Sequence, residues 1–122
     1  TILQRMVRDL NMPVKIIVGP TVREADGLAL SSRNVHLKDN LRRQATVLWQ
    51  AICAARAAGN TTTDQLKRKL KRIIGGQPDV SVDYIEFVEA VSLQPVKRVK
   101  KGVRLLLAVN VGGVRLIDSA KL

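Results

Sequence analysis

Three features of this 122-residue chain predict an α+β fold. Two stretches carry the 3.6-residue apolar repeat of amphipathic helices, one over 39–58 and one between Thr63 and Gly75. From Val80 onward the apolar period changes to two, and a Gly112-Gly113 pair separates two apolar runs in the manner of a tight hairpin. The architecture that follows is two helices packed on a small three-stranded antiparallel sheet. Ahead of it, residues 1–23 read as a helix and strand of α/β type, whose parallel sheet needs more strands than this chain supplies.

Residues 2–11 place Ile2, Leu3, Met6, Val7 and Leu10 on one side of a helical wheel, and Pro13 stops the helix. Val14 to Val18 then reads as a short buried strand interrupted only by Lys15. In the helix predicted over 39–58, Leu41, Ala45, Leu48, Ile52 and Ala55 form the apolar stripe, with Arg42, Arg43 and Gln50 off it. Asp39 is the expected N-cap, and Gly59 with Asn60 ends the segment. Trp49 borders the stripe as packing. Cys53, set among alanines, is expected to be a buried structural thiol. Any of Thr61, Thr62 and Thr63 can cap the next helix, which buries Leu66, Leu70, Ile73 and Ile74 and ends at Gly75-Gly76. From Val80 onward runs the first long strand, Val82, Tyr84 and Val88 alternating with Asp83, Ile85 and Phe87, with Pro95 marking the exit. Val103–Val111 and Val114–Ile117 are the two arms of the glycine hairpin. Glu86 and Glu89, three apart on a strand, face opposite ways and are given no catalytic role.

Composition narrows the function classes. No apolar run approaches the roughly 20 residues that a membrane helix needs. The lone Cys53 cannot form an internal disulfide, which fits a reducing, cytoplasmic compartment. One Cys and one His do not make a metal-ligand set of the usual spacing, so no metal site is expected. No Ser/His/Asp or Cys/His constellation can be assembled either. The net charge is +11, from 21 Lys and Arg against 10 Asp and Glu. Lys67, Arg68, Lys69, Lys71 and Arg72 crowd the exposed face of the second helix, and they raise the alternative of a basic nucleic-acid-binding accessory domain. A solvated face is the commoner meaning of such a run. The base-stacking aromatics of single-strand binders are also absent, the chain having one Trp, one Tyr and one Phe.

The stretch from Gly19 to Asn34 stands apart. Within sixteen positions it holds two glycines, a proline, the adjacent hydroxyls Ser31 and Ser32, and four charged residues. It is a polar loop between regular elements, long enough to be either functional or mobile. Two short hydroxyl donors followed by Arg33, a planar cation able to grip two oxygens, suit a phosphate-binding loop. The same residues also suit an ordinary turn into a helix, capped by Asn34 or Asp39. His36, just past the loop, could reach a phosphate, although a surface role is the commoner one.

Thr21-Val22-Arg23-Glu24-Ala25-Asp26-Gly27-Leu28-Ala29-Leu30-Ser31-Ser32-Arg33-Asn34 resembles the nucleotide loop of the pantothenate synthetase (pantoate–beta-alanine ligase) family. That loop is a variant of the KMSKS signature of nucleotidyl-transferring Rossmann-like enzymes. Here Arg33 replaces the second lysine, Ala29 stands where the first is lost, and Leu30 replaces the commoner methionine. The resemblance extends upstream through Arg5-Met6-Val7-Arg8-Asp9-Leu10 and downstream through Val82-Asp83-Tyr84-Ile85-Glu86 to the final strands.

The resemblance implies that residues 1–23 are the last helix and strand of an N-terminal Rossmann-like nucleotide-binding domain, and that 24–122 form a C-terminal lid domain with the KMSKS-like loop at its start. It implies ATP with Mg2+, pantoate and beta-alanine as substrates, and a pantoyl-adenylate as intermediate. Ser31, Ser32 and Arg33 would stabilise the transferring phosphates. Val22 and Leu30 would lie beside the nucleotide, Val22 through its backbone at the adenine. The other partners implied are the rest of the same polypeptide upstream of Thr1 and a second copy, as a homodimer, with no nucleic acid or membrane. The 122 residues alone are expected to be inactive. Another adenylyl- or cytidylyl-transferring enzyme could use the same loop chemistry, and the match outside the loop argues against it.

Overall fold

A computed structural model describes residues 1–122. In chain order the elements are α1 (Ile2–Asp9), a 3-10 turn (Ser32–His36), α2 (Asp39–Ala45), α3 (Val47–Arg56), β1 (Thr61–Thr62), α4 (Thr63–Gly75), β2 (Val80–Val88), β3 (Arg98–Val99), β4 (Arg104–Val111) and β5 (Val114–Lys121). The predicted antiparallel sheet forms in the order β2-β4-β5. Its hairpin closes at Val111 opposite Val114. Gly112 and Gly113 hold φ of +53° and +88°, the left-handed backbone that a two-residue turn of this kind demands.

Alternation along β4 decides which face is buried. Leu105, Leu107, Val109 and Val111 are all buried and point to the side covered by α3 and α4. Leu48 and Ile52 of α3, Leu66, Leu70 and Ile74 of α4, and Phe87 of β2 complete a core in one contiguous cluster. Each fully buried side chain of this size contributes about 1.5–3 kcal/mol of hydrophobic stabilisation. α4 starts where Thr62 Oγ1 accepts a bond from the Gln65 amide, which selects one of the three candidate threonines as the cap. A bulge between Val82 and Tyr84 interrupts the β2–β4 register near Asp83. The Asp83 carboxylate accepts a bond of 2.8 Å from Arg115 of β5.

Several expectations are corrected. Val14–Val18 is not a strand: no other strand in the chain pairs with it, so it lacks the ladder that defines one. Val14, Ile17 and Val18 are exposed, as are Ile2, Leu3, Met6 and Leu10 on the stripe of α1. The predicted single helix over 39–58 is two helices, broken at Thr46, whose hydroxyl donates 2.7 Å back to the Arg43 carbonyl. A hydroxyl bonded to its own backbone in this way competes with helix continuation. Asp39 is not the N-cap; Lys38 is, and Asp39 opens α2 at φ +45°, a left-handed conformation that Asp tolerates better than most residues. Cys53 is exposed, because the alanines around it rather than the thiol face the sheet. The third long strand runs beyond Ile117 to Lys121. Arg98-Val99, not assigned to any element from the sequence, pairs with Thr61-Thr62 in a second, two-stranded sheet.

Candidate functional site

Residues 22–30 fold back on themselves as a tight loop. The Leu30 amide donates to the Val22 carbonyl at 3.0 Å, the Glu24 amide to Leu28 at 2.8 Å, and the Gly27 amide to Glu24 at 2.9 Å. Gly27 is required at the apex: it holds φ +88°, and a Cβ there would sit 2.1 Å from Cδ1 of Trp49. Leu28 turns inward and joins the core.

Arg23 anchors this loop to the sheet. Its guanidinium donates through Nη1 and Nη2 to the two carboxylate oxygens of Asp118 at 2.7 and 3.0 Å. Nη1 also donates to the Gly27 carbonyl at 2.9 Å, and the cation lies 4.3 Å from the centre of the Trp49 ring. The Asp118 side chain is only 2% exposed, so this is a buried, two-pronged pair. Asp118 also accepts the Ser119 amide at 2.7 Å.

A second network braces the other side. The Glu24 carboxylate accepts from Arg42 of α2 and from the Asn34 side-chain amide, both at 2.7 Å. The same Asn34 amide donates to the Ala29 carbonyl at 3.1 Å. Arg42 also lies 2.6 Å from Asp26. The Arg42 guanidinium is the main reason that the carboxyls of Glu24 and Asp26 are held below their ordinary range, and Asn34 adds to the effect at Glu24. The two carboxylates in turn raise the affinity of Arg42 for its proton, Asp26 more than Glu24.

What this scaffold presents is the turn at 31–33. Ser31 caps the 3-10 turn, its Oγ accepting from the Arg33 amide at 3.2 Å, and its carbonyl accepts from the Asn34 amide at 3.1 Å. Those two amides are therefore engaged within the turn. The Ser31 hydroxyl hydrogen remains free to donate outward, as does the exposed Ser32. Arg33 is exposed and forms none of the chain's ion pairs. Val22 and Leu30, the flanking positions, are both 66% exposed. His36 is exposed at the end of the turn. The enclosed recess beside Ser31 and Arg33 is only about 30 Å3, room for a water or two and not for a nucleotide. The predicted site residues thus lie together on an open surface.

Sequence reasoning misses the anchors. In the sequence Arg42 is an off-stripe residue, Asp118 does not stand out, and Gly27 is just one of two glycines in a polar loop. One signal is legible: Asp118 occupies the buried phase of a period-two strand, between Leu116 and Ala120. A carboxylate in that place requires a cation. No three His, Cys, Asp or Glu side chains are grouped as a metal site, and no helix is long and apolar enough to cross a membrane.

A three-stranded sheet backed by two helices, holding a braced loop that displays two hydroxyls and an unpaired arginine, defines an α+β module with an exposed polar turn. The comparisons with known proteins say which one. The family model described as Pantoate-beta-alanine ligase matches residues 1–121, and the chain belongs to that family. It is 42% identical over 121 residues to the pantothenate synthetase of Thermosipho africanus, covering 97% of this chain and 43% of that protein. The Moorella thermoacetica pantothenate synthetase is 43% identical over 124 residues, covering 99% and 44%. Among solved structures, pantothenate synthetase from Thermus thermophilus superposes with a TM-score of 0.86 at 37% identity, over 98% of this chain and 44% of that one. A Francisella tularensis pantoate-beta-alanine ligase, complexed with beta-gamma ATP and beta-alanine, gives 0.62 at 27% identity, over 98% and 38%. The chain thus spans less than half the length of the relatives it matches.

Proposed function

We propose that this chain supplies the phosphate-gripping wall of a pantoate–beta-alanine ligase. The observation that carries the reading is the exposed, unpaired Arg33 beside Ser31 and Ser32, on a loop held rigid by Arg23–Asp118 and Glu24–Arg42, in a chain of this family. In the first step a carboxylate oxygen of pantoate attacks the α-phosphorus of ATP. The bond from that phosphorus to the bridging oxygen breaks, and pyrophosphate leaves with the electron pair. Arg33 meets the charge that builds on the leaving pyrophosphate, and the Ser31 and Ser32 hydroxyls donate to phosphate oxygens. Val22 and Leu30 flank the nucleotide, Val22 through its backbone. The beta-alanine amine then attacks the acyl carbon and loses a proton, the acyl–oxygen bond breaks, and AMP departs.

The chain groups no metal ligands of its own, and Glu24 and Asp26 are committed to Arg42. In this reading Mg2+ arrives on the ATP phosphates. A further Rossmann-like domain, of which residues 1–23 form the closing helix and its following segment, supplies the opposite wall. The exposed apolar side chains of α1 and of residues 14–18 support a covering partner there. Gly27, packed on Trp49, moves with the body 24–122. Any closing motion is then a rigid swing about residues 19–21, where Gly19 has nothing within 4 Å of its would-be Cβ. We place the enzyme in the cytoplasm as a homodimer, with these 122 residues inactive alone.

AMP release from ATP by the full-length polypeptide is the test. Release that requires pantoate and beta-alanine together supports the ligase. ATP turnover indifferent to both acids would refute it, as would turnover by residues 1–122 in isolation for the claim of inactivity.

A further inference from the structure

We propose that Arg42 is a positioning residue for the Ser31–Arg33 turn, acting through Glu24 and Asn34 rather than on a ligand. The proposal rests on the reading of that turn as a phosphate site. Asn34 immediately follows Arg33, and its side-chain amide is the one group that ties the 3-10 turn back to the 22–30 loop. It does so through two bonds, to Glu24 at 2.7 Å and to the Ala29 carbonyl at 3.1 Å. Glu24 can hold that amide only while its own carboxylate is fixed, and Arg42 fixes it at 2.7 Å. The chain of contacts runs from α2 to the residue beside Arg33 in two links, Arg42–Glu24 and Glu24–Asn34.

Charge gives a second reason. Glu24 and Asp26 place two carboxylates on a loop that must receive a polyanion. Arg42 contacts both, at 2.7 and 2.6 Å. Without it, two negative charges would stand behind the phosphate turn and oppose its ligand. A purely stabilising role explains the arrangement poorly. The three side chains are 24%, 33% and 41% exposed, a range in which ion pairs add little to stability. The firm anchoring of the loop is already done by the buried Arg23–Asp118 pair. What Arg42 adds is the placement of Asn34, and hence of Arg33, together with cancellation of the loop's own negative charge.

The test is inorganic pyrophosphate binding to the full-length polypeptide at about 0.15 M salt, where diffuse attraction to the basic surface is screened. Backbone and Asn34 side-chain amides are followed by NMR. Arg42→Gln should weaken binding roughly tenfold, the scale of one charged hydrogen bond. It should also speed the exchange of the Asn34 side-chain protons while leaving the amides of α4 and β4 unshifted. Adding Glu24→Gln to Arg42→Gln removes one stranded charge and keeps an acceptor for Asn34, so it should recover most of the lost affinity. A role in folding alone would not be rescued this way. Should Arg42→Gln unfold the chain, Arg42→Lys keeps the charge but loses the two-pronged grip, and an intermediate loss is expected. If Arg33→Ala weakens binding and neither Arg42 variant does, positioning is refuted and the phosphate reading stands. If Arg33→Ala has no effect, both fall.

Discussion

Removing the Asp118 carboxylate tests the anchor on which the loop geometry depends. In Asp118→Ala the Arg23 guanidinium, 16% exposed, loses both bonds to Asp118 and keeps only the Gly27 carbonyl and the Trp49 ring. Breaking a buried pair from one side costs about 3–5 kcal/mol, because it strands the other charge. The residual exposure of Arg23 and its two surviving contacts put the expectation at the low end, about 3 kcal/mol. That is about two orders of magnitude in the folded-to-unfolded ratio. With a urea slope of about 1.5 kcal/mol/M, the midpoint should fall by about 2 M. Trp49 is the chain's one tryptophan and stacks on Arg23, so its fluorescence reports on the anchor. Far-UV circular dichroism reports on the helices. A loss below about 1 kcal/mol would place the pair with ordinary surface ion pairs and refute the claim that it holds the loop.

Gly27→Ala should cost about 2–3 kcal/mol and shift Trp49 emission to the red, since the new methyl meets a rigid ring at φ +88°. Gly112→Ala should cost only about 1–2 kcal/mol: its φ is also positive, but the obstructing atom is the flexible end of Leu41. Urea titrations of the two variants that reversed this order would contradict the packing described. The lowered carboxyls of Glu24 and Asp26 contribute a small share of the acid limb. Their stabilising contribution is fully present above their ordinary range near pH 4 and is lost as pH falls through their depressed folded values. Arg42→Gln should flatten that limb slightly in Trp49-monitored acid titration. An unchanged limb would assign it wholly to other carboxylates.

The elements that carry local periodicity are legible in the sequence. β4 is a compact apolar run bounded by Arg104 and the glycine pair, Leu66, Leu70 and Ile74 recur at helical spacing, and two consecutive glycines fix a hairpin. The Ser31–Arg33 turn is legible as a polar turn, and its residues alone suit a phosphate loop and an ordinary helix-leading turn equally well. Its rigidity is not. Arg23 and Asp118 are 95 positions apart, and no local pattern connects them. Arg42 looks like a solvated helix residue until the fold brings Glu24 and Asp26 to it. Val14–Val18 fails for a related reason: strand character in the residues cannot supply a neighbouring strand. The break at Thr46 comes from a single side-chain hydroxyl inside an otherwise continuous apolar stripe. At Cys53 the apolar neighbours mislead, because small alanines can line the buried face while the thiol points to solvent.

The central claim is that Arg33 stabilises the departing pyrophosphate. The most direct measurement is the rate of AMP formation by the full-length polypeptide carrying Arg33→Ala, at saturating ATP, pantoate and beta-alanine. Loss of one preorganised charge donor of this type should lower kcat by about 10²–10³, with the fold unchanged by circular dichroism. A kcat within a factor of about three of the unsubstituted enzyme would contradict the account and leave the loop a structural feature of the family.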